Sequence, residues 1–334
     1  MTDLLDRLDD DARAALVERT VPKFVSPMLA KLTHDPFSEP DWIYERKYDG
    51  ERALAFRDGG SVRLMTRNEK DITSTYPELA EALERIGPDR FVADGEVVAF
   101  DGSVTSFAWL QGRMQIKDPD EARASGIAVH FYLFDLIQLG RLGLEKLPLR
   151  TRKSLLRDAF DWDAPIRFSA HRNGGGEAYL QEACEKGWEG LIAKDAGSTY
   201  KHSRSSDWLK FKCARGQELV IGGFTAPRGA RSRFGALLVG WYDGNALRYA
   251  GRVGTGYDEE TLDRLYGLMK PKRRKTSPFA DPVDEKEVTW VSPELVAEFG
   301  FTEWTGDGKL RHPRFLGLRR DKDPKDVTRE DGGG

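Results

Sequence analysis

Long apolar runs are missing from this 334-residue chain. The most apolar stretch, residues 127–137, is interrupted by His130 and Asp135 and is too short to cross a bilayer, so no membrane partner is expected. Cysteine is nearly missing as well. Cys184 and Cys213 stand alone, without metal-ligand spacing, and fit a reduced, cytoplasmic setting. The five histidines (His34, His130, His171, His202, His312) are scattered, which argues against a histidine metal site. The N-terminus carries Asp3, Asp6, Asp9, Asp10 and Asp11 and no apolar segment, so it does not read as a secretory signal. What remains is a soluble globular balance, 39% apolar and 32% charged, with length for about two domains and two modest cores. Collagen-like and disordered classes are excluded.

A net charge of −3 does not suggest a nucleic-acid partner, but its distribution does. Residues 201–275 carry sixteen Lys/Arg against seven Asp/Glu, while residues 1–20 carry six acids against three bases. Only the contacting face must be positive to bind a phosphate backbone. The bland alternative is a solvated surface of mixed sign.

Along the chain, Leu5, Leu8, Ala12 and Leu16 predict one short amphipathic helix, and Pro22 and Pro27 then impose an extended entry. Strands are expected at 42–47, 52–57, 62–67, 91–100, 128–136, 190–194 and 208–212, and helices at 77–86, 149–160 and 177–186. Many strands with few βαβ periods predict an α+β domain with largely antiparallel sheets. Residues 213–217 read as a linker. Strands at 218–224, 234–242, 246–253 and 287–291 with one helix at 259–269 then suit a small OB-type Greek-key barrel. The closing glycines 332–334 read as a frayed tail.

Several short segments carry chemistry. In Glu45-Arg46-Lys47-Tyr48-Asp49-Gly50-Glu51-Arg52, alternation puts Glu45 and Lys47 on one strand face, and Asp49-Gly50 predicts a turn that brings Arg52 back on a second strand. An exposed charged hairpin is the bland account. Asp94-Gly95-Glu96 sets carboxylates in an apolar run, either as a turn or as a costly buried site needing partners. Tyr132, Phe134 and Leu136 share a strand face, as core packing or as a base-stacking platform. In Trp208-Leu209-Lys210-Phe211-Lys212 two ammonium groups share a face and repel unless an anion lies between them. Glu189 and Lys194 differ in parity and share a face only if the strand starts after Gly190 or bulges.

In order and spacing, these segments resemble the covalent nucleotidyltransferase superfamily, and specifically the ATP-dependent DNA ligases. Residues 47–52 (KYDGER) resemble motif I, Arg67 in TRNEK motif Ia, Asp94-Gly95-Glu96 motif III and Phe134-Asp135 motif IIIa. Residues 189–194 (EGLIAK) resemble motif IV and 209–212 (LKFK) motif V. The likeness covers residues 22–322. PMLA at 27–30, GRVGTG at 251–256 and LRHPRFLGLRRDK at 310–322 are similar to the ligase module of bacterial end-joining ligases, the last segment including motif VI with Arg319, Asp321 and Lys322. GRVGTG lacks the spacing of a dinucleotide loop. The segment RNEK departs from the family by lacking a glycine after Arg-Asn, which touches the turn rather than Arg67.

The resemblance implies a fold and a division: an N-terminal arm (1–21), an adenylation domain (22–213), an OB-fold domain (217–322) and a tail (323–334). It implies that Lys47 attacks the α-phosphate of ATP, that AMP passes to the 5′-phosphate of nicked duplex DNA, and that a 3′-hydroxyl displaces AMP. Lys47 must be deprotonated, against a free pKa of about 10.4, and Arg46, Lys210, Lys212 and Mg2+ are expected to disfavour its charge. Glu96 and Glu189 are implied as ligands of Mg2+, with Mn2+ as an alternative, and Glu96 has a second reading as a ribose contact. Phe134 is implied to stack on adenine, Glu45 to lie near the adenine edge, and Arg52 and Arg67 to contact ribose and nick phosphate. Lys194, Lys210 and Lys212 are implied to neutralise the α-phosphate. Arg319 and Lys322 would reach the pyrophosphate only if the barrel swings over the site, with a hinge near 213–217. The expected setting is a nucleoid-associated monomer. This length cannot encode polymerase and phosphoesterase modules, so the expectation is either a stand-alone ligase or a unit whose partners, end-joining proteins or separate polymerase and phosphoesterase modules, sit on other chains. The competing readings are an RNA ligase, a capping guanylyltransferase, and a non-catalytic DNA-end-binding protein on a ligase scaffold.

Overall fold

The computed structural model describes residues 2–33, 35–213, 216–227, 233–301 and 303–330. His34, two linker positions (Ala214 and Arg215) and the glycines at 332–334 lie outside the described residues. The chain divides into two compact units, the second beginning at Ala214. No helix among the described residues is long and apolar enough to cross a membrane.

The first unit is built on two mostly antiparallel sheets. One runs in the order Val17–Glu18, Leu142–Gly143, Val129–Leu139, Arg90–Asp101, Glu51–Asp58, Arg63–Thr66. The other runs His171–Asn173, Trp42–Lys47, Gly190–Asp195, Arg204–Lys212, Leu29–Leu32. The first sheet buries one face against the helix Pro77–Ile86, whose Leu79 and Leu83 are fully buried beside Ala53, Ala93, Val97, Phe131 and Leu133. That helix starts where Pro77 needs no N–H partner and ends before Gly87. The second sheet buries Tyr44, Leu191, Ala193 and Phe211 against Tyr179 and Ala183 of the helix Gly176–Glu185. The two remaining faces meet in a third apolar layer of Ile43, Leu54, Phe56, Val92, Phe134 and Trp208.

Five expectations need correction. First, Trp42–Lys47 and Glu51–Asp58 are not a hairpin, because they pair in different sheets and residues 48–50 carry the chain from one sheet to the other. Gly50 makes this crossing possible, since a Cβ there would lie 2.2 Å from the Val97 carbonyl oxygen. Second, Leu136 does not share a face with Phe134. The pairing with Arg90–Asp101 shifts register between Asp94 and Gly95, and this bulge turns Phe134 to the inter-sheet layer and Leu136 to the opposite core. Third, Cys184 and Cys213 are joined in a disulfide at a Cα separation of 5.2 Å, because the helix carrying Cys184 ends over the strand that Cys213 follows. Fourth, the N-terminal segment forms two short helices, Thr2–Leu5 and Asp10–Ala14, rather than one. Asp9 caps the second by accepting from the Ala12 amide, and Leu5, Leu8, Ala12 and Leu16 still pack on the main core. Fifth, the stretch expected as a tail from residue 323 packs on the second unit. Val327 is buried, and its carbonyl accepts from the Tyr242 amide.

The second unit is a curled antiparallel sheet in the order Ala246–Val253, Leu237–Asp243, Gly216–Thr225, Val288–Gly300, Arg273–Arg274, with Arg314–Arg319 also paired to Val288–Gly300. The helix Glu259–Met269, capped by Asp258 on the Thr261 amide, closes its core through Leu262, Leu265 and Met269. An α+β unit followed by an OB-like barrel is the predicted architecture.

Candidate active site

Antiparallel pairing sets the candidate residues in rows across the second sheet. Lys47, Gly190 and Lys212 stand opposite one another on three neighbouring strands. Glu45, Ile192 and Lys210 form the next row, and Ile43, Lys194 and Trp208 the one beyond. Directly opposed residues share a sheet face, so one surface presents Glu45, Lys47, Lys194, Lys210 and Lys212 together. The first sheet faces it with a row of its own, Arg52, Glu96 and Tyr132.

Gly190 is the hinge of this arrangement. Its φ of +148° suits glycine, and a Cβ there would lie 1.9 Å from the Phe211 carbonyl oxygen. No side chain therefore separates Lys47 from Lys212, whose strands lie two apart, about 10 Å. The strand begins at Gly190, so Glu189 precedes it and escapes the alternation that ran against it; its carboxylate forms an ion pair with the Lys47 ammonium. The expected cationic surroundings of Lys47 are thus corrected in two ways. An acid sits on it, and Arg46 is sent by alternation to the opposite face, over the Trp188 ring at 4.4 Å. Asp49 organises the crossing turn by accepting from the Phe107 amide at 3.1 Å, while its own amide donates to Thr105 Oγ1.

Glu45 is only 2% exposed. Its Oε1 lies 2.7 Å from the Lys153 ammonium and its Oε2 3.0 Å from that of Lys194. Burial pushes the Glu45 carboxyl up, yet the two ammonium charges together outweigh it and hold the group below the ordinary carboxylate range. Burial likewise pushes Lys194 down to about 8, against the raising effect of Glu45. The Lys194 ammonium lies 4.2 Å from the Phe134 ring centre and 4.1 Å from that of Trp208. It therefore sits against Glu45 and the aromatic rings, on the surface that also carries Lys210 and Lys212.

Asp94-Gly95-Glu96 is no turn but the middle of the strand Arg90–Asp101. Asp94 is fully buried and paid for by Arg52, whose Nε and Nη2 donate to its two oxygens at 2.6 and 2.7 Å, and by the Tyr200 hydroxyl at 2.6 Å. Arg52 also lies 4.4 Å over the Phe134 ring. Arg67 keeps its Nε buried with no hydrogen-bond partner among the described residues. In the second unit Arg319 donates to both oxygens of Asp321, and Lys322 donates to Glu218 at 2.9 Å.

Sequence reasoning missed Arg152 and Lys153, both buried on the helix Leu149–Ala159. Arg152 donates twice to the fully buried Asp135, at 2.8 and 2.9 Å. A signal was available: two adjacent cations on the same inner helical face as Leu149 and Leu156 need buried anions. Among the described residues no three His, Cys, Asp or Glu side chains cluster as a closed metal cage. Glu96 and Glu189 nevertheless suit Mg2+, which typically takes one or two carboxylates and completes its shell with phosphate oxygens and water.

Comparison with known proteins identifies the family. Residues 27–212 match the ATP dependent DNA ligase domain family and residues 230–322 the ATP dependent DNA ligase C terminal region. The chain is 36% identical over 319 residues to the multifunctional non-homologous end joining protein LigD of Pseudomonas aeruginosa, covering 93% of this chain and 37% of that protein. It is 37% identical over 317 residues to the LigD of Mycobacterium tuberculosis, covering 92% and 40%. The chain thus spans well under half the length of these relatives. A mycobacterial DNA ligase D complexed with ATP and MES superposes with a TM-score of 0.65 at 35% identity, covering 92% of this chain and 99% of that one. The chain belongs to the ATP-dependent DNA ligases, close to the ligase domain of the bacterial LigD end-joining proteins.

Proposed function

We propose that the chain seals nicks in duplex DNA by three successive phosphoryl transfers, as a step of DNA repair by end joining. The observation that supports this most is the row Lys47, Gly190, Lys212, in which a nucleophile-bearing strand and a cationic strand flank a gap held open by glycine. In the first transfer the Lys47 amine attacks the ATP α-phosphorus, a phosphoramidate bond forms, and pyrophosphate leaves. The amine must first give up a proton, and Glu189 is the carboxylate in contact with it. In the second, a 5′-phosphate oxygen of the nick takes AMP and Lys47 is released. In the third, a 3′-hydroxyl oxygen attacks that 5′-phosphorus and AMP leaves.

Lys210 and Lys212 meet the charge that develops on the α-phosphate. Phe134 stacks on adenine and Glu45 lies at its edge, while Arg52 and Arg67 contact ribose and nick phosphate. Lys194, paired with Glu45, adds positive charge at that end of the surface. Glu96 and Glu189 would hold Mg2+, which supplies electrophilic polarisation of phosphate oxygens when bound. Arg319 and Lys322, in the segment that resembles motif VI, serve the pyrophosphate side of the first transfer.

The test is intact-mass spectrometry after pyrophosphate has stripped any bound nucleotide, with ATP and Mg2+ then added, beside Lys47→Ala. One AMP adduct mapped to Lys47 and absent in the variant is expected, followed by sealing of nicked DNA in preference to nicked RNA. No adduct with ATP, GTP or NAD+ would overturn the reading and favour a binding scaffold.

A further inference from the structure

The Lys153 ammonium is 1% exposed and enclosed by three oxygens. Glu45 Oε1 lies at 2.7 Å, the Ser169 carbonyl at 3.0 Å and the Phe134 carbonyl at 3.3 Å. The two carbonyls accept hydrogen bonds and Glu45 Oε1 is an ion-pair contact, so the ammonium is turned to protein oxygens rather than to a substrate. The fourth neighbour is the Phe168 ring, 4.7 Å away. Lys153 therefore touches at once the carboxylate of Glu45 and the backbone that carries the Phe134 ring, on two different sheets. It lies outside all the segments that resemble ligase motifs.

Stability alone does not account for it. A buried ion pair is often matched or exceeded by apolar side chains of similar volume, and Leu149 and Leu156 on the same helical face show that this surface accepts them. What an apolar residue could not supply is a fixed, ionised Glu45. An ionised carboxylate only accepts hydrogen bonds, so it suits the exocyclic amine of adenine and is repelled by the carbonyl oxygen that guanine carries at the same place. Lys194 and the Ser169 hydroxyl, which donates to Oε2 at 3.3 Å, hold the other oxygen. Lys194 also reaches the face of the Phe134 ring, whereas Lys153 ties the carboxylate to the backbone carbonyl that carries that ring.

We propose that Lys153 is a positioning residue that sets the choice of base: it fixes the Glu45 carboxylate relative to the Phe134 ring so that the pocket selects a 6-amino purine. This rests on the reading that Glu45 lies at the adenine edge. The experiment compares kcat/KM for Lys47 adenylylation with ATP and with purine riboside triphosphate, which lacks the 6-amino group. Wild type is expected to favour ATP by about 10- to 100-fold, the range for one hydrogen bond to a charged group. Lys153→Met should lose most of that ratio, by falling with ATP and holding nearly steady with the analogue. Lys153→Gln is the second variant, keeping an N–H donor but no charge, read at a temperature where its near-ultraviolet circular dichroism matches wild type. It should lose the same ratio. A merely structural residue would lower both nucleotides alike, and that result in a folded variant, or an unchanged ratio, overturns the inference alone. A wild type that uses both nucleotides equally removes Glu45 from the adenine edge and the inference with it.

Discussion

Lys47 and Glu189 form an ion pair at the head of two neighbouring strands, with the acid placed one residue before its own strand begins. A carboxylate against an ammonium stabilises the charged form of the lysine, which is the form that cannot attack. Glu189 can serve the attack only by taking that proton or by holding the metal. Glu189→Gln keeps the shape of the side chain and removes its charge, and should lower the single-turnover adenylylation rate by about 100- to 10,000-fold, the range for a positioned acid or base. An unchanged rate would remove Glu189 from the step.

Gly190 is the residue on which that geometry depends. Gly190→Ala forces a Cβ into the Phe211 carbonyl oxygen and into a backbone angle that side chains rarely adopt. The strands of Lys47 and Lys212 must then separate or Glu189 must turn away. Adenylylation should fall by at least about 100-fold, as expected for a misplacement near 1 Å. Gly267→Ala is the control, since a Cβ there meets nothing and the helix Glu259–Met269 gains from alanine. It should leave adenylylation at the wild-type rate.

Arg152 and Asp135 are both fully buried and bonded through two parallel hydrogen bonds, and Arg152 also donates to the Leu147 and Ser198 carbonyls. Arg152→Met leaves a buried carboxylate unpaired and should cost about 3–5 kcal/mol in urea denaturation. Arg152→Met with Asp135→Leu should recover much of that loss, because the pair is removed together. Additive losses in the double variant would show that the two groups are not coupled.

Local signals made some of this architecture legible and left other parts hidden. The strand Trp42–Lys47 and the helices Pro77–Ile86 and Glu259–Met269 fall where alternation and start signals place them, since Pro77 and Asp258 are local determinants. The Asp49-Gly50 turn is local too, but the partner of the strand after it is not, so a crossing between sheets read as a hairpin. The bulge at Phe134 breaks the two-residue period, which inverted Leu136. The strand expected to end at Val291 runs on to Gly300 because Pro293 falls where the pairing with Gly216–Thr225 skips between Trp290 and Leu295. In the site, alternation put Glu45 with Lys47 and Lys210 with Lys212 on shared faces, while their roles came from the resemblance to ligase motifs. Lys153 was passed over, because a lysine on a helix reads as solvated unless its place beside Arg152 on the inner face of Leu149 and Leu156 is weighed.

The basic cluster at 270–275 is not uniform, and this divides its members. Lys272 is held by Glu294, and Arg273 donates to the Tyr266 hydroxyl at 3.0 Å and lies over that ring and the Phe224 ring. Lys270, Arg274 and Lys275 are exposed and have no acidic partner among the described residues. Each phosphate contact contributes close to one unit to the slope of log affinity against log salt. Neutralising Lys270, Arg274 and Lys275 together should lower that slope for nicked duplex by about 2–3 and weaken binding by at least about 10-fold at 0.1 M salt. Lys272→Gln alone should change the slope little, since its charge is already compensated. Lys47 adenylylation should be unaffected in both, because that step uses no DNA. Fluorescence anisotropy at several salt concentrations separates the outcomes, and an unchanged slope in the triple variant would move the backbone contact away from this cluster.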